Sequence, residues 1–273
     1  MPHYRDGFLR AWLIVACASF SACAPSLMKL PTAPGVATTD ARQVVTDATS
    51  TCRSVRTFSA ELAASGSVGG QRLRGRLLVG LAAPASARIE AVAPFGPPAF
   101  IFVARDADAT LLLPRDDRVL EHGRPDAVLE SLAGVPLDTA SLRGALTGCA
   151  SENPPTRARA IGDDWRVVED GAEEIYFKRS SSVWQLVAVV HGDGQRGDAG
   201  PWRAEYRDFQ NGLPRSVRLV SRDPSRFDLR FALSQVDVNT TLGADVFRVE
   251  VPRSARPITL EELRDARPGF RQD

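Results

Sequence analysis

Residues 85–105 read ASARIEAVAPFGPPAFIFVAR. Two runs within it, 87–93 and 99–104, are rich in small, β-branched and aromatic residues and predict a pair of strands. Pro94, Phe95, Gly96, Pro97 and Pro98 lie between them. Proline has no N–H to give to a ladder and Gly96 tolerates positive φ, so this segment must turn. Phe95 is the oddity, a large aromatic at the tip of a proline-bracketed loop. It either folds back under a neighbouring loop or stands in water as an apolar knob for a partner or a membrane.

The same alternation extends outward. Segments 58–68 and 71–81 predict a hairpin about Gly69 and Gly70. In its second strand Leu73, Gly75, Leu77, Val79 and Leu81 alternate with Arg72, Arg74 and Arg76, so one face is apolar and one solvated. Downstream, 110–113 and 118–121 flank a polar turn. Ahead of these strands, 40–56 predicts a helix: Thr39 or Asp40 can cap it, and Val44, Val45, Ala48, Cys52 and Val55 recur at helical spacing.

The strands stop at 124–148, which predicts two short helices. Pro125 opens the first, with Val128, Leu129 and Leu132 on one face, and 134–136 breaks it. Asp138 or Thr139 caps the second, with Leu142, Ala145 and Leu146 on its face, and Gly148 ends it. After the polar loop 151–156, strands are predicted at 165–168, 174–178, 184–190, 202–209, 215–221 and 227–238. Asn211-Gly212 marks a hairpin turn, and 261–266 a last helical turn. The fold class is therefore α+β, mostly antiparallel β. One antiparallel sheet of this size must curl, and the helical pair cannot extend it. The economical arrangement is an unclosed half β-barrel with a helical lid across its concave face.

The N-terminus carries a different pattern. Residues 1–22 predict an export signal: Arg5 and Arg10 precede an apolar run too short for a comfortable span. Phe20-Ser21-Ala22-Cys23 resembles a bacterial lipobox, with Cys23 the lipidated residue. Ile14-Val15-Ala16-Cys17 is a rival lipobox, and an ordinary cleaved signal is a third reading; all three place the protein in the bacterial envelope. Residues 23–38, rich in Pro, Ala and Thr, predict a flexible tether from the lipid. The folded domain is expected at 39–251 and a polar tail at 252–273. Ala24 stands where, in enteric bacteria, an Asp retains lipoproteins in the inner membrane, so that resemblance implies the periplasmic face of the outer membrane.

The 273 residues carry 34 Lys and Arg against 33 Asp and Glu, a net charge of +1. With no basic aromatic stripe, nucleic acid is not an expected partner. Of the four cysteines two, Cys52 and Cys149, lie beyond the signal, and an exported protein commonly joins such a pair; a free buried pair is the alternative. The three histidines, His3, His122 and His191, fit no ligand spacing. No metal, cofactor or catalytic group is expected. Asp116-Asp117, Asp163-Asp164 and Glu173-Glu174 read as solvated turns and strand ends. Residues 192–197 lack the strand-to-helix context of a phosphate loop.

Three stretches carry a resemblance. Residues 88–97 (RIEAVAPFGP) resemble a strand ending in Asn-Pro-Leu-Gly-Ser; 132–137 (LAGVPL), followed by Ser141-Leu142-Arg143, resembles Leu-Thr-Gly-Met-Pro and then Ser-Leu-Arg; and 202–206 (WRAEY), followed by Leu213-Pro214, resembles a late Trp-x-x-x-Tyr hairpin. The three patterns are those of the LolA/LolB lipoprotein-carrier family, which this chain resembles, most nearly in its outer-membrane receptor branch, LolB. The resemblance spans about 50–240. It implies a non-enzymatic protein that binds lipoprotein acyl chains, receives them from a periplasmic LolA-like carrier and inserts them into the outer membrane, where its own N-terminal lipid holds it. It implies a membrane-inserting loop at Pro94, Phe95 and Gly96. The apolar strand faces supply cavity-wall candidates Leu77, Ile89, Phe100 and Phe102, with Leu129, Leu132 and Leu142 under the lid. Phe95 replaces the family's leucine, the cysteine pair is not part of its pattern, and 192–200 has no counterpart. A structural or interaction lipoprotein with a filled barrel, or a lipid-binding sensor, is the alternative.

Overall fold

The computed structural model describes residues 26–135, 137–150, 156–192 and 200–266. The signal, Cys17, Cys23, His3, Pro136 and the tail beyond 266 lie outside the described residues. In chain order the elements are β1 (Val36–Ala37), α1 (Ala41–Ser54), β2 (Thr57–Val68), β3 (Gln71–Ala82), β4 (Ser86–Val92), β5 (Ile101–Arg105), β6 (Asp108–Leu113), β7 (Arg118–Gly123), α2 (Pro125–Ala133), α3 (Thr139–Thr147), β8 (Arg157–Ile161), β9 (Trp165–Asp170), β10 (Glu173–Ser180), β11 (Val183–His191), β12 (Trp202–Arg207), β13 (Ser216–Ser221), β14 (Phe227–Val238), β15 (Arg256–Pro257) and α4 (Leu260–Ala266).

All fifteen strands form one sheet, ordered β1-β8-β9-β10-β11-β12-β13-β14-β2-β3-β4-β5-β6-β7-β15. Neighbours are antiparallel except β15 on β7. The two halves of the chain join where β14 pairs β2, and the outer strands β1 and β15 do not meet, so the barrel is unclosed. Register explains the core. One inward row runs Ala60, Val79, Ile89, Phe102, Leu111, Leu120 across six strands. Its counterpart in the other half runs Ala158, Val168, Ile175, Val189, Ala204, Leu219, Leu229. The second row ends at Gly66, where φ is 140° and a Cβ would collide with the Asp228 carbonyl, so only glycine lets β2 approach β14 there.

The helices occupy the concave face. α1 buries Ala41, Val44, Thr49 and Cys52 against β9–β11. Asp40 precedes it without the expected side-chain capping bond; its two carboxylate oxygens instead each accept from Arg166 Nε at 3.0 Å. α2 begins on Pro125 and ends at Gly134 in the left-handed region, a conformation glycine takes without steric cost. α3 is capped by Asp138, which accepts from the Ser141 N–H at 2.7 Å.

Two expectations about the chain's margins are corrected. The described part of the expected tether is not free. Met28 and Leu30 pack on the outer face against Val167, Tyr176, Val187 and Ala188. The Met28 N–H donates to Glu205 at 2.8 Å, and the Met28 carbonyl accepts from Arg203 at 2.6 Å. The buried Glu205 carboxylate also pairs with Arg203 at 2.6 Å and Arg207 at 3.1 Å, and burial lowers the pKa of Arg203. β1 then adds an edge strand to β8. At the other end, 252–266 is not merely tail: β15 pairs β7, and α4 packs on α2 with Leu263 fully buried.

Candidate functional site

The lid and the sheet do not meet everywhere. Leu129, Leu132 and Ala133 of α2, Val135 and Leu137 of the connection, and Leu142, Ala145 and Leu146 of α3 face Leu62, Ala64, Leu73, Leu77, Val79, Ile89, Phe100, Leu219, Leu229 and Phe231 across a cavity of about 90 Å³. Every lining residue is apolar. Such walls offer hydrocarbon a place and offer no group for acid, base or nucleophilic chemistry. An apolar cavity of roughly 150 Å³ takes one benzene, so a hydrocarbon chain fits here only once the lid has moved outward.

Of the expected wall residues, Leu77, Ile89, Phe100, Leu129, Leu132 and Leu142 line this cavity. Phe102 does not. It shares their inward face, but it is fully buried beside Leu111 on β6, where α2 packs down on the sheet. Cys52 and Cys149 form a disulfide, with Cα atoms 5.6 Å apart, joining the end of α1 to the chain just after α3. The lid is thus tied at one end.

The loop between β4 and β5 leaves the sheet beside the cavity. The Ala99 N–H donates to the Ala91 carbonyl at 2.9 Å, and the Ala91 N–H to the Phe100 carbonyl at 3.0 Å. Beyond these bonds the chain projects, and Phe95 is 90% exposed. The loop is nevertheless braced. Arg115, from the β6–β7 turn, donates to the Pro97 carbonyl at 3.3 Å and the Phe95 carbonyl at 3.4 Å. Phe95 does not fold back into the core.

A second, larger cavity of about 450 Å³ lies on the other side of α3, sharing Leu137 and Ala145 with the first. The sequence reading missed it. His191 stacks on Trp202 with ring centroids 3.7 Å apart, and its Nδ1 lies 3.0 Å from Glu173 Oε1, at ion-pair distance but off the line of a hydrogen bond. Tyr206 also faces it, and burial pushes its hydroxyl pKa well up. Only the closeness of His191 and Trp202 to one loop hinted at this grouping. His122 instead sits exposed, 3.3 Å from Asp108. Among the described residues no three His, Cys, Asp or Glu gather as metal ligands, and no helix is long and apolar enough to cross a membrane.

No family model and no curated protein matches the sequence. Solved structures do match its backbone. A LolA superfamily protein from Nitrosomonas europaea superposes over 77% of this chain and 97% of its own, with 11% identity and a TM-score of 0.53. The chain has a LolA-like fold. A DUF1329 family protein from Desulfovibrio piger superposes over 77% of this chain and 98% of its own, at 10% identity and a TM-score of 0.50. At such identity the likeness concerns the path of the backbone, so the expected open sheet with its helices holds for the LolA-like chain as architecture. Its cavity and loop rest on the residues described above.

Proposed function

We propose that this protein is a LolB-like receptor, held to the periplasmic face of the outer membrane by a lipid on Cys23. It accepts lipoprotein acyl chains under the α2–α3 lid and delivers them to the bilayer. The observation that carries this reading is the pairing of an all-apolar cavity with an exposed Phe95 on the loop between β4 and β5. Ile89 and Phe100 form part of the cavity wall and sit on either side of that loop, so cargo and membrane contact lie on one stretch of chain. Transfer of a phenylalanine into an apolar layer is favourable by roughly 1.5–3 kcal/mol, enough to orient a tethered protein but not to hold it. Cys23, outside the described residues, is the anchor in this reading, and a LolA-like periplasmic carrier is the donor.

The test is transfer of a lipoprotein from a LolA-like carrier to the Cys23→Ala chain and on to liposomes. Phe95→Glu is expected to accept cargo normally and fail to insert it. A sharp fall in melting temperature with normal insertion would instead make Phe95 structural. The small size of the cavity favours a second reading, an envelope lipoprotein whose barrel is filled and which carries nothing. Failure of the Cys23→Ala chain to accept any acyl chain would select it.

A further inference from the structure

Arg72, Arg74 and Arg76 alternate with the inward Leu73 and Leu77 on β3, so all three leave the outer face, and all three are exposed. Register sets Ser67, Ser65 and Ala63 of β2 beside them and Asp228, Arg230 and Ala232 of β14 beyond. The small residues of β2 leave a shallow groove there, about 1380 Å³, lined by these arginines and Arg230. The carboxylate that lines it, Asp228, and Glu61 beside it are already engaged. Glu61 holds Arg76 at 3.2 Å, and Asp228 pairs with Arg218 and Arg230 at 2.8 Å each. Among the described residues no carboxylate pairs with Arg72 or Arg74.

The groove is continuous with the Phe95 loop. β4 ends at Val92, opposite Arg76, whereas β3 continues to Gln71. Arg72 and Arg74 therefore overhang β4 beside the loop, and Pro94 lines the same groove. The loop's other flank is balanced: the β6–β7 turn sets Arg115 and Arg118 against Asp116 and Asp117. Unbalanced positive charge lies on the groove side of the exposed aromatic.

We propose that this surface is a docking site for anionic phospholipid, with Phe95 in the apolar layer and Arg72 and Arg74 on headgroup phosphates. The inference rests on the reading of Phe95 as a membrane contact and adds the class of lipid and the side that faces it. The chemistry is charge complementarity between guanidinium forks and phosphate oxygens.

Co-sedimentation of the Cys23→Ala chain with phosphatidylcholine vesicles, with and without phosphatidylglycerol, tests it. Binding is expected to require phosphatidylglycerol and to weaken as salt is raised. Each arginine near an anionic surface is worth roughly a fivefold change in partitioning, so Arg72→Gln with Arg74→Gln lowers phosphatidylglycerol binding about 25-fold. Arg105→Gln with Arg248→Gln makes the same charge change towards the opposite end of the sheet, and leaves binding unchanged. Equal loss in both double variants, or no gain from phosphatidylglycerol, overturns the proposal. If either occurs while Phe95→Glu still blocks insertion, the receptor reading stands and only the lipid preference fails. Circular dichroism on every variant separates loss of binding from loss of fold.

Discussion

Ala64→Val puts the cavity to work as a measurable quantity. Ala64 is 3% exposed, points inward from β2 between Phe231 and Gly75, and lies on the cavity wall. An unfilled apolar volume of about 90 Å³ costs on the order of 2 kcal/mol at roughly 24 cal/mol per Å³. Valine adds two methyl groups, each worth about 0.8 kcal/mol when buried, for a gain of about 1.6 kcal/mol. Its β-branch suits a strand. For a domain of this size that gain raises the melting temperature by about 3–6 °C. The same two methyls occupy space that an acyl chain needs, so a fluorescent fatty-acid analogue should bind roughly tenfold more weakly. Thermal melting and equilibrium titration of the Cys23→Ala chain, with and without Ala64→Val, supply both readouts. A higher melting temperature with undiminished binding refutes the claim that cargo enters this cavity. A lower one refutes the packing argument itself.

Two further outcomes follow from other parts of the fold. The Cys52–Cys149 bond closes a separation of 97 residues, which on a chain-entropy account is worth about 5 kcal/mol. Cys52→Ser with Cys149→Ser should lower the melting temperature by about 10 °C or more, and the unreduced, denatured chain should show no free thiol at either position. The Asp40 carboxyl is held below its ordinary pKa, chiefly by its hydrogen bonds from Arg166, against a smaller opposing effect of burial. A depressed folded-state pKa stabilises above the unfolded value, near 4, and that contribution is lost as pH falls through the folded value. Asp40→Asn should therefore lower the melting temperature at pH 7 by a small amount, since the pair is partly exposed, and the difference from the parent should shrink as pH falls below the unfolded value.

Much of this architecture was legible because alternation is a local signal. Leu73, Leu77 and Val79 against Arg72, Arg74 and Arg76 fixed both faces of β3 before any partner strand was known. The breaks at Gly134 and Gly148 delimited the lid helices. The margins were less legible. β1 and β15 are two residues each and exist only through their partners β8 and β7, and β8 itself is five residues, exposed at Arg157 and half-buried over the rest. Such strands have no period to read. The docked Met28 depends on Arg203 and Glu205, about 175 residues away in sequence, a juxtaposition that no local pattern announces. Phe102 shows the finer limit. Its inward face was readable from the strand, but whether it met lid or cavity depended on where α2 came to rest.

Lipid occupancy tests the central claim most directly. The folded Cys23→Ala chain, isolated from a bacterial envelope, is denatured and its released lipid identified by mass spectrometry. The account predicts acyl-chain-bearing lipid in near-stoichiometric amount, displaced when a synthetic lipopeptide is added before denaturation. Folded protein that carries no lipid and gains none from the lipopeptide would contradict it, and would leave the barrel as a filled scaffold.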